Sequence, residues 1–315
     1  MNRSFQPGFQ LTFWLLKKMK STRMPNSIMQ KTKAPSLNLN LSLFSGQVFD
    51  WEHDRKADSY KGDLLGDFAT LEYDSKSKEI LFLGTTAEKV REFFGLGQDY
   101  KKMLEGIRKA DAKLYADAKE YFGLRILRQD PWVAAATFVC SQNNNIPRIR
   151  KILASLRKKY GKDGKFPTAK SLSKATVPEL RGLGLGYRAE YISSLAKNVS
   201  NNRLDFAKLR KMSYEDGFVH LVDNQHGIGP KVADCLLLYG LGKTEAFPTD
   251  VWVRKAVERR YGKELRKFTE CQNCRAKEVP YQMIGSFARK KFGKDAGYAQ
   301  QFLFFNERAR NQKPW

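Results

Sequence analysis

The N-terminal part of the chain carries a pattern of hydrophobic and polar positions that is typical of β-strands. Residues 37–43 alternate apolar and polar side chains with a period of two, as expected for a half-buried strand. Residues 46–51 form a further candidate strand, and the strand-like segments 68–73 and 79–83 flank a turn. Together these segments predict a small antiparallel sheet with one face covered by the rest of the protein.

From about residue 87 onward the hydrophobic period lengthens to three or four residues, which indicates helices. Such stripes are formed by Val90/Phe93/Phe94, by Val133/Phe138/Val139 and by Ile149/Ile152/Leu153/Leu156. The helical pattern continues to the C-terminus, interrupted by glycine-rich turns. We therefore predict an α+β fold, with a small antiparallel β-sheet domain over residues 37–128 and a mostly helical body of two subdomains over residues 129–315.

The composition indicates a folded protein with a polyanionic partner. The 315 residues include 57 Lys and Arg against 33 Asp and Glu, a formal net charge of +24. Nucleic acid is the simplest partner for this excess, because each phosphate contact releases counterions. A hydrophobic content of 42% excludes a disordered basic tail, and no run approaches the roughly 18 apolar residues of a membrane span. Four cysteines in a chain of this length exclude a disulfide scaffold.

Residues 1–36 are expected to be a flexible basic extension outside the fold. The first 49 residues contain no Asp or Glu but seven Lys or Arg. An acid-free, basic start also fits an organelle transit peptide, or a start codon placed too early. We therefore expect the cytoplasm (nucleoid) if the source is prokaryotic, and the nucleus or mitochondrion if it is eukaryotic.

Residues 218–238 predict two helices joined by a short turn. The turn holds Gly227 and Gly229, and Pro230 suits the first turn of the second helix because its missing N–H has no partner there. Glycines let the backbone approach a phosphate closely, and the free N–H groups of a helix N-terminus attract anions. This pattern is typical of a helix-hairpin-helix whose glycines contact the DNA backbone, although an ordinary interhelical turn fits the same residues.

Two charged residues at or after this turn are candidates for catalysis. Lys231 lies in the first turn of the second helix, where the partial positive charge of the helix N-terminus favours a neutral, nucleophilic amine. The simpler interpretation is a solvated lysine that contacts a phosphate. Asp250 precedes another helical segment and is a favoured N-cap residue. A capping carboxylate is fixed in place, so it can also stabilise positive charge that develops on a reacting sugar.

At these residues the chain resembles a known family. The hairpin, Lys231 and the segment 248–250 resemble the helix-hairpin-helix superfamily of DNA glycosylases, and residues 231–235 resemble its 8-oxoguanine DNA glycosylases, which are bifunctional. The resemblance implies that the Lys231 amine displaces the damaged base, forms a Schiff base with the sugar and assists strand cleavage by β-elimination. It implies Asp250 as the catalytic partner. No cofactor is implied, apart from a monovalent ion on the hairpin carbonyls.

Four residues resemble the family's pocket for the damaged base. Gly46 matches the glycine whose carbonyl accepts the N7–H that only the oxidised guanine carries. Gln300 and Phe304 share a helix face, and the resemblance implies that Gln300 bonds the Watson–Crick edge while Phe304 stacks on the ring. Cys235 is implied on the opposite ring face. Without the resemblance, Gly46 fits a strand end and Phe304 fits core packing.

Two further loops resemble those that hold the gap left by a flipped base. Asn143 and Arg148 match residues that read the unpaired cytosine, and carboxamide and guanidinium groups offer forked donors for that task. Tyr187 matches a wedge into the gap, and Arg188 matches a second contact to the cytosine. The simpler interpretations are a polar turn that ends a helix and a second hairpin with a phosphate-binding arginine.

Some features depart from the family or stand outside it. Trp252 occupies the position where animal enzymes carry a histidine, which puts a phosphate contact there in doubt, and Pro147 has no known counterpart. Cys271 and Cys274 have metal-ligand spacing, but a zinc or iron–sulfur site normally needs four ligands. We therefore expect no metal site.

The expected partner is double-stranded DNA that contains oxidised guanine, bound by a monomer without membrane contact. An alkyl-purine glycosylase of the same superfamily is the first alternative, and such enzymes generally lack a lysine at position 231. A non-catalytic protein that binds the DNA backbone is the second, and it predicts that Lys231 can be replaced with little loss of function. An RNA-binding module is the third, but the sequence has no aromatic-rich recognition signature.

Overall fold

The computed structural model describes residues 29–270, 275 and 277–311. Its N-terminal part contains the strands β1 (Gln30–Lys33), β2 (Glu52–Asp54), β3 (Ser59–Leu64), β4 (Asp67–Asp74) and β5 (Glu79–Leu83). They form one antiparallel sheet in the order β1-β5-β4-β3-β2. The candidate strands 68–73 and 79–83 are thus confirmed as parts of β4 and β5, with Leu71 opposite Phe82.

Two predicted strands are wrong. Residues 37–43 contain a helix, α1 (Leu39–Leu43), and not a strand. Its N-cap residue is Asn38, whose Oδ1 accepts a hydrogen bond from Leu41 N at 2.9 Å. The alternating leucines also place Leu39 and Leu43 one helical turn apart, and both are buried. The capping asparagine therefore favours the helix over the strand. Residues 46–51 are irregular, and a buried side chain, that of Gln47, bonds to the segment 125–127 in place of a strand partner.

The sheet also begins earlier than predicted. Strand β1 lies in the segment 1–36 that we expected to be a flexible extension, and it pairs with β5 through Lys31 opposite Leu81. Lys31 and Lys33 place their ammonium groups 3.2 and 3.1 Å from the Glu79 carboxylate. A strand with two lysines and no large apolar side chain gives no hydrophobic alternation, which is why the sequence pattern missed it. Residues 1–28 of the expected extension lie outside the described residues.

The remainder of the described chain is mostly helical, as the change of period at residue 87 predicted. The helices are α2 (Ala87–Phe93), α3 (Tyr100–Ala110), α4 (Ala112–Ala118), α5 (Pro131–Ser141), α6 (Ile146–Tyr160), α7 (Ala169–Leu172), α8 (Val177–Leu180), α9 (Arg188–Ser200), α10 (Phe206–Lys211), α11 (Tyr214–Asn224), α12 (Pro230–Cys235), α13 (Val251–Phe268), α14 (Tyr281–Phe292) and α15 (Ala296–Asn311). Helix α12 continues as a π-helical segment, Leu236–Gly240. In the part of the chain that the structure describes, no helix is both long enough and apolar enough to cross a membrane.

Two hydrophobic cores support these elements. The smaller core packs the sheet against α2 and includes Trp51, Phe82 and Phe93. The larger core fills the helical body, and it also takes Tyr100 and Met103 from α3. Helix α3 therefore packs with the helical body, while Leu127 still belongs to the smaller core. The domain boundary near residue 129 stays a prediction.

One residue links the loop around position 46 to the helical body. The Gln129 side chain donates to Gln47 O at 2.8 Å, and its backbone N–H donates to Tyr239 O at 2.7 Å. Asp130 then caps α5, with Pro131 in its first turn. These bonds hold the irregular loop next to the end of the π-helical segment, where the candidate site lies.

Candidate active site

A cleft of about 820 Å³ opens between the loop around Gly46, the start of α12 and the helix α15. Eight of the residues that the sequence proposed for the site line it: Gly46, Asn143, Gly229, Lys231, Cys235, Asp250, Gln300 and Phe304. Arg148, Tyr187, Arg188 and Gly227 do not line it. The cleft thus collects side chains from both ends of the chain, and these are separated by most of its length.

Lys231 is held at the cleft by the start of α12. Gly229 is the N-cap residue and Pro230 occupies the first turn, so Lys231 is the second helical residue. Its ammonium group lies 5.1 Å from the centroid of the Phe138 ring of α5, a cation–π distance. The half-buried amine therefore lies against an aromatic wall of the cleft, with its end facing the space where a substrate can enter.

Cys235 lies one helical turn after Lys231 and is 2% exposed. Burial raises the pKa of its thiol to about 11, against a smaller lowering effect of Lys231. The thiol therefore stays protonated at neutral pH, and a protonated thiol is a poor nucleophile. Of the two reactive groups on this helix face, the structure leaves the amine as the candidate nucleophile and the thiol as a neutral wall.

Asp250 is the N-cap residue of α13, as its position in the sequence indicated. Its Oδ1 accepts hydrogen bonds from Trp252 N and Val253 N, both at 2.9 Å. These bonds satisfy two amides of the first helical turn and fix the carboxylate at the cleft. These capping bonds therefore also hold the negatively charged Asp250 carboxylate in the same cleft as Lys231.

The loop before Asp250 is anchored by a buried network that sequence reasoning missed. Thr249 N donates to the Tyr281 hydroxyl at 3.0 Å, and that hydroxyl donates to Asp234 Oδ2 at 2.6 Å. The Tyr214 hydroxyl donates to Asp234 Oδ1 at 2.7 Å. Asp234 is fully buried, and burial raises the pKa of its carboxyl to about 6 although both tyrosine bonds lower it. An aspartate inside an apolar run was the available sequence signal.

The opposite wall of the cleft brings Gly46 against α15. Gly46 has a φ of +79°, and a Cβ at this position would lie 3.9 Å from Phe304 Cζ. The positive φ favours glycine here, whereas a Cβ would make only an ordinary van der Waals contact with the ring. Gln300 and Phe304 are 4% and 9% exposed and both line the cleft. The structure thus brings together the three residues that the resemblance assigned to base recognition on this side.

Two further polar residues in the floor of the cleft were not predicted. Gln301 Nε2 donates to the Tyr239 hydroxyl at 2.6 Å and to Gln300 Oε1 at 2.9 Å. The Tyr239 ring stacks on Phe138 with 5.3 Å between centroids and 22° between planes. Tyr239 follows Cys235 by four residues, as Cys235 follows Lys231, and this spacing could have placed it on the same helix face.

The two loops proposed for the gap are bonded to each other beside the cleft. Asn143 has a φ of +45°, which asparagine tolerates, and its Nδ2 donates to the Tyr187 hydroxyl at 3.2 Å. Tyr187 is 44% exposed, as a wedge residue has to be. Arg148 is exposed and bonds Gly184 O at 3.3 Å. These three residues are therefore available at one surface.

Arg188 lies differently from what the resemblance implied. It is 3% exposed, and its guanidinium donates to Gln142 O at 2.7 Å and to Asn143 O at 2.9 Å. Arg188 therefore supports the asparagine loop from behind. Its direct contact with a cytosine stays a prediction, and so do the base contacts of Asn143 and Arg148.

The two hairpin glycines have different surroundings. Gly227 has a φ of +87°, and a Cβ there would meet the Tyr191 side chain at 2.4 Å, so only glycine fits. Its carbonyl accepts from Gln142 Nε2 at 2.8 Å, which ties the hairpin to the asparagine loop. Gly229 is exposed with open space at its Cα, so a phosphate can approach it. Close packing thus explains Gly227, and access explains Gly229.

The remaining residues of interest are Trp252 and the two cysteines with metal-ligand spacing. Trp252 lines the cleft, with the Lys255 ammonium 4.8 Å from its ring centroid. Within residues 29–270, 275 and 277–311, no group of three or more His, Cys, Asp or Glu residues has the arrangement of a metal site. Cys271 and Cys274 lie outside the described residues.

Comparison with known proteins identifies the two parts of the chain. Residues 28–134 match the family model described as 8-oxoguanine DNA glycosylase, N-terminal domain, and residues 136–271 match the HhH-GPD superfamily of base excision DNA repair proteins. The chain is 32% identical over 309 residues to an N-glycosylase/DNA lyase of Saccharomyces cerevisiae, covering 84% of this chain and 82% of that protein. It is 29% identical to the N-glycosylase/DNA lyase OGG1 of Arabidopsis thaliana, covering 93% and 83% of the two chains.

A solved structure agrees with these sequence matches. The 8-oxoguanine glycosylase/lyase of Clostridium acetobutylicum, solved with double-stranded DNA containing cytosine opposite 8-oxoguanine, superposes with a TM-score of 0.77 at 28% identity. The match covers 92% of this chain and 100% of that one. The chain therefore belongs to the 8-oxoguanine DNA glycosylases of the helix-hairpin-helix superfamily, and it is a DNA N-glycosylase with associated abasic-site lyase activity.

Proposed function

We propose that this enzyme excises 8-oxoguanine from duplex DNA, with cytosine opposite the lesion, and cleaves the strand through a Schiff base on Lys231. The observation that carries the proposal is that Lys231 and Asp250 line one cleft together with Gly46, Gln300 and Phe304. Base excision needs a flipped nucleotide, because the reacting carbon is inaccessible inside the duplex. The cleft offers a flat aromatic side chain and a carboxamide for such a base, next to an amine and a carboxylate for its sugar.

In the first step, the Lys231 amine attacks C1′ of the flipped nucleotide. The C1′–N9 bond breaks, and its electron pair leaves with the base, which then takes up a proton. Positive charge builds up on the sugar as this bond breaks, and the fixed carboxylate of Asp250 stabilises it. The surroundings of the Lys231 amine support its assignment as the nucleophile. The Phe138 ring and the protonated Cys235 thiol lie next to it, and neither is a competing nucleophile.

In the second step, the sugar ring opens and the amine remains attached to C1′ as a Schiff base. This imine makes the C2′ proton acidic. A base removes that proton, and the C3′–O bond breaks with its electron pair going to the phosphate. Water then releases Lys231 from the unsaturated sugar. No cofactor takes part in these steps.

The preference for cytosine rests on the asparagine loop. Asn143 and Arg148 are exposed next to Tyr187, whose side chain is 44% exposed at the surface where a flipped base would leave a gap. Their donors suit the acceptors on the Watson–Crick edge of cytosine.

Borohydride trapping tests this proposal. Borohydride reduces a Schiff base to a stable amine, so the enzyme should form a covalent adduct with a duplex that carries 8-oxoguanine, most strongly opposite cytosine. Undamaged duplex and the Lys231→Gln variant should give no adduct. Lys255→Gln is the matched control, because Lys255 lies near the cleft on Trp252 and is not proposed to react. Equal adduct in Lys231→Gln, or tight binding with no adduct on any lesion duplex, would refute the lysine chemistry.

A further inference from the structure

Two residues without an assigned role, Gln142 and Tyr191, connect the three loops that the proposed function places on DNA. These are the asparagine loop (residues 142–145), the hairpin turn with Gly227 and the loop that carries Tyr187. Gln142 Nε2 donates to Gly227 O at 2.8 Å, so a half-buried side chain of the asparagine loop is bonded to the hairpin backbone. This bond is the first link between the hairpin and the residues at the gap.

The ring of Tyr191, on α9, is the second link. A Cβ added to Gly227 would lie 2.4 Å from Tyr191 Cγ, so the ring fills the space beside this glycine. The Tyr191 ring centroid lies 4.8 Å from that of His226 and 5.6 Å from that of Tyr187, in T-shaped contacts. Such pairs attract each other beyond the effect of burial alone. One ring therefore packs against two hairpin residues and also supports Tyr187.

The loops at the gap are joined to each other by a different group, the buried guanidinium of Arg188. It donates to Gln142 O at 2.7 Å and to Asn143 O at 2.9 Å, and Arg188 directly follows Tyr187 in the chain. Asn143 Nδ2 also donates to the Tyr187 hydroxyl at 3.2 Å. A buried charge without these acceptors would be costly, so the asparagine loop and the Tyr187 loop are held as one unit.

The position of this unit relative to the hairpin therefore depends on Gln142 and Tyr191. On the hairpin, Gly229 is exposed with open space at its Cα, where a phosphate can approach. A close-packed ring and a direct hydrogen bond leave little freedom between the parts that they join. The place of the hairpin on the DNA backbone thus determines where Asn143 and Tyr187 lie.

We propose that Gln142 and Tyr191 are positioning residues that lock the hairpin to the side chains at the gap, so that the choice of the opposite base depends on contacts that touch no base. This inference rests on the proposed preference for cytosine and names residues that set it. Hydrogen bonds weaken steeply with poor distance and angle. A small shift of the asparagine loop against the hairpin therefore costs selectivity before it costs binding to the DNA backbone.

Gln142→Leu tests the first link. It removes the bond to Gly227 but keeps the size of the side chain and the backbone carbonyl that Arg188 contacts. Single-turnover excision of 8-oxoguanine is measured opposite cytosine and opposite adenine. The ratio of the cytosine rate to the adenine rate should fall about threefold to tenfold, the effect of one hydrogen bond.

Gln98→Leu is the matched control for this substitution. Gln98 is also half-buried, and its Oε1 accepts one hydrogen bond, from the Tyr298 hydroxyl at 3.1 Å. The control therefore also loses one side-chain hydrogen bond, but outside the three loops. Its ratio should equal that of the wild type.

Two substitutions of Tyr191 test the second link. Tyr191→Leu removes the ring contacts, and the ratio should fall about threefold to tenfold. Tyr191→Phe keeps the ring, and the Tyr191 hydroxyl makes no hydrogen bond to a described residue, so this conservative variant should restore the wild-type ratio. A loss in Tyr191→Phe as large as in Tyr191→Leu would contradict a role of the ring.

A double-mutant cycle separates positioning from a direct contact of Gln142 with the DNA. If Gln142 acts through the residues at the gap, Gln142→Leu should change the ratio by less than about twofold in an Asn143→Ala background. A fall as large as in the wild-type background would mean that Gln142 contacts the DNA itself, and it would overturn the inference.

The ratio is the decisive readout, because a variant that is merely less stable lowers both rates equally. Thermal unfolding shows which variants are folded at the assay temperature, and either Gln142→Leu or Tyr191→Leu is sufficient. A wild-type ratio in a folded variant overturns the inference and leaves the proposed function intact. If the wild type itself excises the lesion equally well opposite both bases, the proposed preference for cytosine fails and the inference fails with it.

Discussion

The buried network that anchors the loop before Asp250 makes a quantitative prediction for Tyr281→Phe. The Tyr281 hydroxyl donates to Asp234 Oδ2 at 2.6 Å and accepts from Thr249 N at 3.0 Å. The substitution removes one oxygen and leaves the ring in place. Thr249 is 4% exposed and Asp234 is fully buried, so water cannot replace the lost partner at either end.

The expected loss of stability follows from these two bonds. A hydrogen bond to a buried carboxylate contributes about 1.5–3 kcal/mol, and a buried amide left without an acceptor costs about 1–3 kcal/mol. Together they predict that the free energy of unfolding falls by about 3–5 kcal/mol. Because Thr249 precedes Asp250, the proposed catalytic carboxylate, base release should also slow at least about tenfold at a temperature where the variant is folded.

Urea unfolding at neutral pH measures the first quantity, and single-turnover base release measures the second. Tyr60→Phe is the matched control, because Tyr60 is also buried and its hydroxyl makes no hydrogen bond to a described residue. It should change stability by less than about 0.5 kcal/mol. If Tyr281→Phe were as stable and as active as Tyr60→Phe, the network would not anchor the loop.

Three further predictions concern other parts of the site. Because burial raises the pKa of Asp234 to about 6 from an ordinary value of 3.8, ionisation of this group destabilises the fold by up to about 3 kcal/mol as pH rises from about 4 to about 7. Asp234→Asn should gain that amount relative to wild type in urea unfolding over this range, and a constant difference between the two would contradict the assignment. Gly46→Ala places an alanine at a φ of +79° beside Phe304, which is a strained backbone conformation. Base release should slow about tenfold while DNA binding changes little. An unchanged single-turnover rate would show that the loop backbone does not contact the base. Tyr187→Ala should weaken binding to a duplex with an abasic site in fluorescence anisotropy at unchanged stability, and equal affinity would exclude a wedge.

Local patterns predicted those parts of the fold where one period dominates. Strands β4 and β5 alternate cleanly, and the helices after residue 87 carry clear apolar stripes, so both were found. The segment 37–43 satisfies both periods, and only the cap at Asn38 decides between them. Strand β1 has no alternating apolar side chains for a sequence pattern to detect. Its two lysines instead pair with Glu79 at the sheet edge. Its existence depends on a partner far along the chain.

The candidate site divides in the same way. Lys231 and Asp250 were predictable because each belongs to a helix start that the sequence reveals. The buried networks behind them were not, because the apolar run around Asp234 signals its burial but not the two distant tyrosines that bond to it. The burial of Arg188 was hidden for the same reason, because carbonyls on a distant loop determine it.

Mass-spectrometric mapping of the reduced covalent adduct tests the central claim most directly. The wild-type enzyme is trapped with borohydride on a duplex with 8-oxoguanine opposite cytosine, digested, and searched for the peptide that carries the sugar remnant. The remnant should be found on the side-chain nitrogen of Lys231. A remnant on another lysine or on the N-terminal amine, with none on Lys231, would contradict the assignment of the nucleophile to the start of α12.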